Sequence, residues 1–190
     1  MSLDLRGKYI ICACEGNAEK AIMEILLDAE ALIFRRSDVI DGECIKLRTG
    51  EDIARAFLGR EYERDISIVR ILDREKERFN LPPSYSFSRK IEVCNVVTKP
   101  EIEILHIYAA GLTEAYEHAK KNNKGLKPSE FCKGYFGKKA HVKSEEFVRS
   151  MYEKDVEKLI AAIKKVEYHP SNCFVLSDLL LSTEMLMSPT

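Results

Sequence analysis

Three carboxylates stand where the chain could assemble chemistry. Glu15 ends the apolar run Tyr9-Ile10-Ile11-Cys12-Ala13-Cys14, and Asp73 and Glu75 follow a second such run, Ile66-Ser67-Ile68-Val69-Arg70-Ile71-Leu72. If both runs are buried parallel strands, their carboxyl ends open on the side of the sheet where α/β proteins gather ligands. Asp73 and Glu75, two residues apart on leaving a strand, can send both side chains to the same side of the turn. Glu15, on a neighbouring strand, then supplies a third oxygen ligand or a general base. Hard oxygen donors of this kind suit magnesium or manganese, with water and phosphate oxygens completing the shell. Acids crowded together without a cation repel one another, and a bound metal would offset that repulsion. Each acid also has a plainer reading. Glu15 can equally cap a turn before a helix, and Asp73 and Glu75 belong to a solvated run, Asp73-Arg74-Glu75-Lys76-Glu77.

These acids need strands and helices to hold them. After Glu15-Gly16, the residues Ala18, Ala21, Ile22, Ile25, Leu26 and Ala29 recur at helical spacing, which predicts strand, tight turn and a helix packed back on the sheet. Residues 31–34 and 43–47 read as further short strands. Thr49 followed by Asp52 predicts a capped helix to about Gly59. Residues 90–97 form a third strong strand pattern, and Thr98-Lys99-Pro100-Glu101 reads as a cap, spacer, first-turn proline and reciprocal acid opening a helix to about Asn122. A helix from about Ser144 to Val166, a strand at 173–176 and a short helix over 178–186 complete the pattern. The expected class is α/β, a mainly parallel sheet flanked by helices. Residues 1–122 would form the α/β core and residues 123–190 a helical, lysine-rich extension packed on it.

Composition narrows the class without choosing a function. The 190 residues are 45% hydrophobic and 32% charged with a formal net charge of -1, ordinary for a globular protein. The apolar runs are strand-sized, so neither a membrane span nor a signal peptide is expected. Six cysteines lack paired C-x-x-C spacing, and four of them lie in apolar stretches, which points to a reduced, cytoplasmic protein. Cys12 and Cys14 alone lack the ligand spacing of a tetrahedral zinc site. His106, His118, His141 and His169 are dispersed, with no spacing that argues for a nucleophile and base. Gly16 alone is too few glycines for a dinucleotide fingerprint.

Charge is unevenly spread. From Lys120 to Lys143 there are eight lysines and one acid, Glu130, interleaved with Phe131, Tyr135 and Phe136. Lys124, Lys127, Lys133, Lys138 and Lys139 would suit a nucleic-acid backbone, with an aromatic ring available for base stacking. The competing reading puts the aromatics in the core beneath a solvated lysine face.

The sequence Cys14-Glu15-Gly16-Asn17-Ala18-Glu19 after one apolar strand, with Ile71-Leu72-Asp73-Arg74-Glu75 after another, resembles the two signature motifs of the TOPRIM domain. That family is shared by topoisomerases, bacterial primases, small ribosomal-RNA maturation nucleases and the overcoming-lysogenization-defect nucleases. The resemblance covers residues 8–97. It implies that Glu15 is the family's glutamate, with an acid-base or metal role, and that Asp73 and Glu75 are the two acids of its D-x-D motif and ligands of Mg²⁺ or Mn²⁺. Glu75 departs from the commoner aspartate. Glu19 matches an acid frequent on the first helical turn, and Glu101 is a candidate for a second metal, beside Glu103. The implied activity is metal-dependent phosphodiester hydrolysis of DNA or RNA. A separate ATPase chain is an implied partner, and a non-catalytic module binding nucleic acid or that ATPase is the alternative.

Overall fold

Three runs rich in isoleucine and valine pair side by side as a parallel sheet. The computed structural model describes residues 3–86 and 91–181. Its strands are β1 (Tyr9–Cys14), β2 (Ile66–Leu72) and β3 (Ile91–Val97), in the order β1-β2-β3. Cys14 pairs with Ile71, and Leu72 with Val97, so the three carboxyl ends are nearly flush. The ladder runs one step further: Glu15 N–H donates to Ile71 O at 3.1 Å and Thr98 N–H to Leu72 O at 2.8 Å.

Alternation along the strands sorts side chains onto two cores, as a sheet covered on both faces requires. Ile10, Cys12, Cys14, Val69, Ile71, Cys94 and Val96 join the larger core, while Ile11, Ala13, Ile66 and Ile68 join the smaller one with Ile53, Ala54 and Phe57. The helix α1 (Asn17–Asp28) buries Ala18, Ala21, Ile22, Ile25 and Leu26 in the larger core. On the other face α2 (Gly50–Ile53) starts at the expected cap, Thr49 Oγ1 accepting the Asp52 N–H at 3.1 Å, and continues as a π-helical turn, Ala54–Leu58. A short helix, α3 (Pro83–Ser86), precedes β3.

Several expected elements are shorter or divided. Residues 31–34 and 43–47 contribute single bridges, Leu32 with Leu180 and Ile45 with Ala13, and Phe174 bridges Val96. The helix expected from Pro100 to Asn122 is two, α4 (Ile104–Ala109) and α5 (Thr113–Asn122). Gly111, at φ 69, ends α4 in a Schellman turn, with Gly111 N–H on Tyr108 O and Leu112 N–H on Ile107 O. Beyond α6 (Pro128–Phe136), the helix expected from Ser144 divides into α7 (Glu145–Tyr152) and α8 (Val156–Lys164). Ser144 caps the first, accepting from Phe147 N–H, and Asp155 caps the second, accepting from Lys158 N–H. A single 3-10 turn, Leu176–Leu179, is seen where the last helix was expected, and residues 182–186 of that expectation lie outside the described residues. The C-terminal helices place Cys132, Val148, Tyr152, Leu159 and Ile163 in the same core as α1 and α4. Among the described residues, no helix is long and apolar enough to cross a membrane.

Candidate functional site

Because β1 and β2 are adjacent and parallel, Glu15 and Asp73 meet although 58 positions separate them. Glu15 Oε2 accepts the Asp73 N–H at 3.0 Å. Burial raises the Glu15 pKa and the neighbouring Asp73 carboxylate pushes the same way, against the Asp73 N–H, which lowers it. Asp73 Oδ1 is buried without a hydrogen-bond donor, with Arg74 Nε 3.6 Å away. Glu75 is turned elsewhere: its Oε1 receives Lys99 Nζ at 2.8 Å, beside the end of β3.

Behind Glu15 lies a second, more deeply buried set of acids. Glu19, on the first turn of α1, folds back over Gly16, where a Cβ would come within 2.6 Å of Glu19 Oε2. The glycine of the Glu-Gly pair therefore makes room for a carboxylate. Burial raises the pKa of Glu19, and the charges of Glu103 and Glu15 raise it further, opposed by Lys143. Glu103 is 0% exposed; its oxygens lack a well-aligned hydrogen-bond donor, and its charged partner is Lys143, whose Nζ stands 3.4 Å from Oε1. Burial raises its pKa too, Lys143 lowering it and Glu101 adding to the rise.

Glu101 reaches across to α6. Thr98 and Glu101 were expected to cap their own helix, but Thr98 Oγ1 donates to Leu72 O at 3.0 Å and Glu101 Oε2 accepts the Ser129 N–H at 3.0 Å. Glu101 therefore closes the first turn of α6, and Glu103 is the acid of the pair that turns into the fold. Sequence order alone could not separate the two.

Cations rim the acids. Arg48 Nη2 donates to Glu15 O at 2.6 Å with its guanidinium largely exposed, and Arg74, Lys99 and Lys143 stand at the margins. Arg70 is the buried exception: it donates to Asn95 Oδ1 at 3.1 Å, lies 3.2 Å from Glu77 and stacks over Phe79. Spacing could not reveal Arg48, because it reaches Glu15 from a loop 33 positions further along the chain.

In the basic region the aromatics divide between core and surface. Phe131 packs on Tyr116 and Phe136 on Phe147. Tyr135 is 60% exposed, and Lys124, Lys127, Lys133, Lys138 and Lys139 are all exposed. His106 is a core residue. Val142 O can only accept, so Nε2 carries the proton and Nδ1 accepts from the Tyr152 hydroxyl at 2.8 Å.

Among the described residues, the group of three potential ligands with all donor atoms within 4.8 Å of one another is Cys12, Cys14 and Cys44 rather than the acids. Compared with protein-family models, curated proteins and solved structures, the chain finds no match. The functional reading therefore rests on the residues.

Proposed function

We propose that this chain is a TOPRIM-type nuclease that hydrolyses phosphodiester bonds of nucleic acid with Mg²⁺ or Mn²⁺. The observation that carries the reading is the contact between Glu15 and Asp73 at the carboxyl ends of adjacent parallel strands. It is the meeting that the resemblance requires of its two motifs. Glu15 and Asp73 are the residues that would hold the cation, and Glu19 and Glu103 would join them only by moving their side chains, since among the described residues no three acids have their oxygens within 4.8 Å of one another. Their donors are all oxygen, and Glu103 has buried oxygens that lack a well-aligned hydrogen-bond donor, which fits a hard divalent ion.

When bound, the ion supplies charge neutralisation at the phosphate and lowers the pKa of water. The chain's own residues do the rest. Glu15 is anchored through Oε2 by the Asp73 N–H, which fixes its carboxylate beside Asp73, where it would hold the ion and accept a hydrogen bond from the attacking water. Arg48, Arg74 and Lys143 draw the polyanion toward the strand ends. Tyr135 offers a stacking face, and the exposed lysines 124, 127, 133, 138 and 139 extend the track. A separate ATPase chain is the protein partner consistent with the resemblance.

The test is cleavage of single-stranded DNA, duplex DNA and RNA with Mg²⁺ or Mn²⁺, comparing wild type with Asp73→Ala. Cleavage by wild type and its loss in a variant with unchanged unfolding is the expected result. No cleavage by wild type on any substrate overturns the reading. One observation favours a second reading, a non-catalytic module binding nucleic acid or a partner ATPase: Glu75, the second acid of its motif, is committed to Lys99. Nucleic-acid binding without cleavage would establish it.

A further inference from the structure

Outside the acidic site, one cluster among the described residues brings ligand atoms together. Cys12 and Cys14 alternate onto the α1 face of β1, and the segment after Gly42 lays Cys44 beside them: Ile45 N–H donates to Cys12 O and Cys14 N–H to Ile45 O, both at 2.8 Å. The three sulfurs lie within 4.8 Å of one another, and each residue is at most 1% exposed. Buried thiols can serve simply as small apolar groups. Two features here go beyond packing.

The first is spacing. Three thiolates around one ion at a metal–sulfur distance of about 2.3 Å put the sulfurs about 4 Å apart, so the trio closes on an ion with under about 1 Å of movement; Cu⁺ is satisfied by three thiolates, whereas Zn²⁺ takes a water as fourth ligand. The second is an outer support of the kind that orients metal ligands. Glu24 Oε1 accepts the Cys44 N–H at 2.6 Å, and Arg36 Nη1 holds Glu24 Oε2 and Gly42 O, each at 2.7 Å. Arg36 Nη2 also donates to Asp28. The residue that bears the third sulfur is thus pinned to α1 before any ion arrives.

We propose that Cys12, Cys14 and Cys44 form a binding site for a thiophilic d10 cation, Zn²⁺ or Cu⁺. The donor set is all sulfur, which selects against the hard ions suited to the acidic site. Binding forms three metal–sulfur bonds and releases the three thiol protons to solvent. The ion ties the Cys44 segment to β1 beside Glu15. The site stands independently of the nuclease reading, because metal retention is measured without any substrate.

The experiment uses the full chain, reduced and stripped of metal, titrated without oxygen against a chromophoric chelator, once with Zn²⁺ and once with Cu⁺. One equivalent of one ion retained by wild type and by Cys94→Ser, but lost in Cys12→Ser and Cys44→Ser, is the expected result. About three protons should be released per ion bound, measured in weakly buffered solution. Retention of neither ion by wild type, or undiminished retention by Cys12→Ser and Cys44→Ser, overturns the proposal. X-ray absorption on the loaded wild type needs no variant that folds: a three-sulfur shell at about 2.3 Å supports the site, and a shell of oxygen and nitrogen overturns it.

Discussion

Replacing Glu103 with glutamine should make the protein more stable, not less. Its carboxylate is fully buried with no well-aligned hydrogen-bond donor, and burial dominates its raised pKa over the opposing pull of Lys143 and its own backbone N–H. A buried polar group without partners costs about 1–3 kcal/mol, and a charged one more. Against this, the substitution gives up the attraction to Lys143, whose side chain is 61% exposed and is hydrated by solvent once the opposing carboxylate is gone. The net gain is therefore on the order of 2 kcal/mol, which for a domain of this size raises the melting temperature by roughly 4–8 °C. The sign with pH follows from linkage. The folded protein holds the Glu103 proton more tightly than the unfolded chain does, so stability falls as pH rises from the ordinary glutamate range through the folded pKa. Thermal melts from acid to neutral pH should show little difference between wild type and Glu103→Gln at the acid end and the full difference at neutral pH. Glu103→Met, which leaves no polar atom, should behave likewise. If both variants melt below wild type at neutral pH, Glu103 is well satisfied in the fold and does not face an ion. With Glu103 as a metal ligand, the same stabilised variants lose cleavage.

Other outcomes follow from single contacts. Glu101→Ala should cost about 1 kcal/mol in denaturant unfolding by removing the cap of α6, and should speed amide exchange at Ser129. Gly16→Ala should keep the secondary structure seen by circular dichroism while displacing Glu19 and weakening cleavage, because the new methyl occupies the place of its carboxylate. Burial lowers the His106 pKa to about 4. Because the unfolded chain takes up that proton first, the contribution of neutral His106 is present above about pH 6.5 and falls as pH drops toward 4, by up to about 3 kcal/mol. An NMR titration in which the His106 ring titrates near pH 6.5 would contradict this.

β1 and β2 were legible because each is a nearly continuous apolar run, and β1, α1 and β2 fall where those runs and helical spacing put them. The caps at Thr49 and Ser144 were equally local and equally legible. Gly111 carried a readable stop signal, but the apolar spacing runs through it and outweighed it in the sequence. What could not be read were side chains that choose distant partners. Glu101 turns to Ser129, Glu75 to Lys99, and Cys44 to two cysteines some thirty positions earlier. Each has a satisfactory local interpretation, and only the packing of loops over strand ends decides against it. Glu15 and Asp73 were the exception, since adjacent parallel strands convert two local patterns into one contact.

The flush ends of β1 and β2 also decide what the chain tolerates. The distance between Glu15 and Asp73 is set by the ladder from Tyr9↔Ile66 to Cys14↔Ile71, not by the residues that connect the two strands. Lengthening the exposed turn near Glu61 should leave the pair untouched. A slip of one residue in the ladder would turn alternate side chains to the opposite face and part the two carboxylates. The exposed turn near Glu61 is therefore free to accept an inserted segment, while the register of six paired residues is the constraint under which the pair persists.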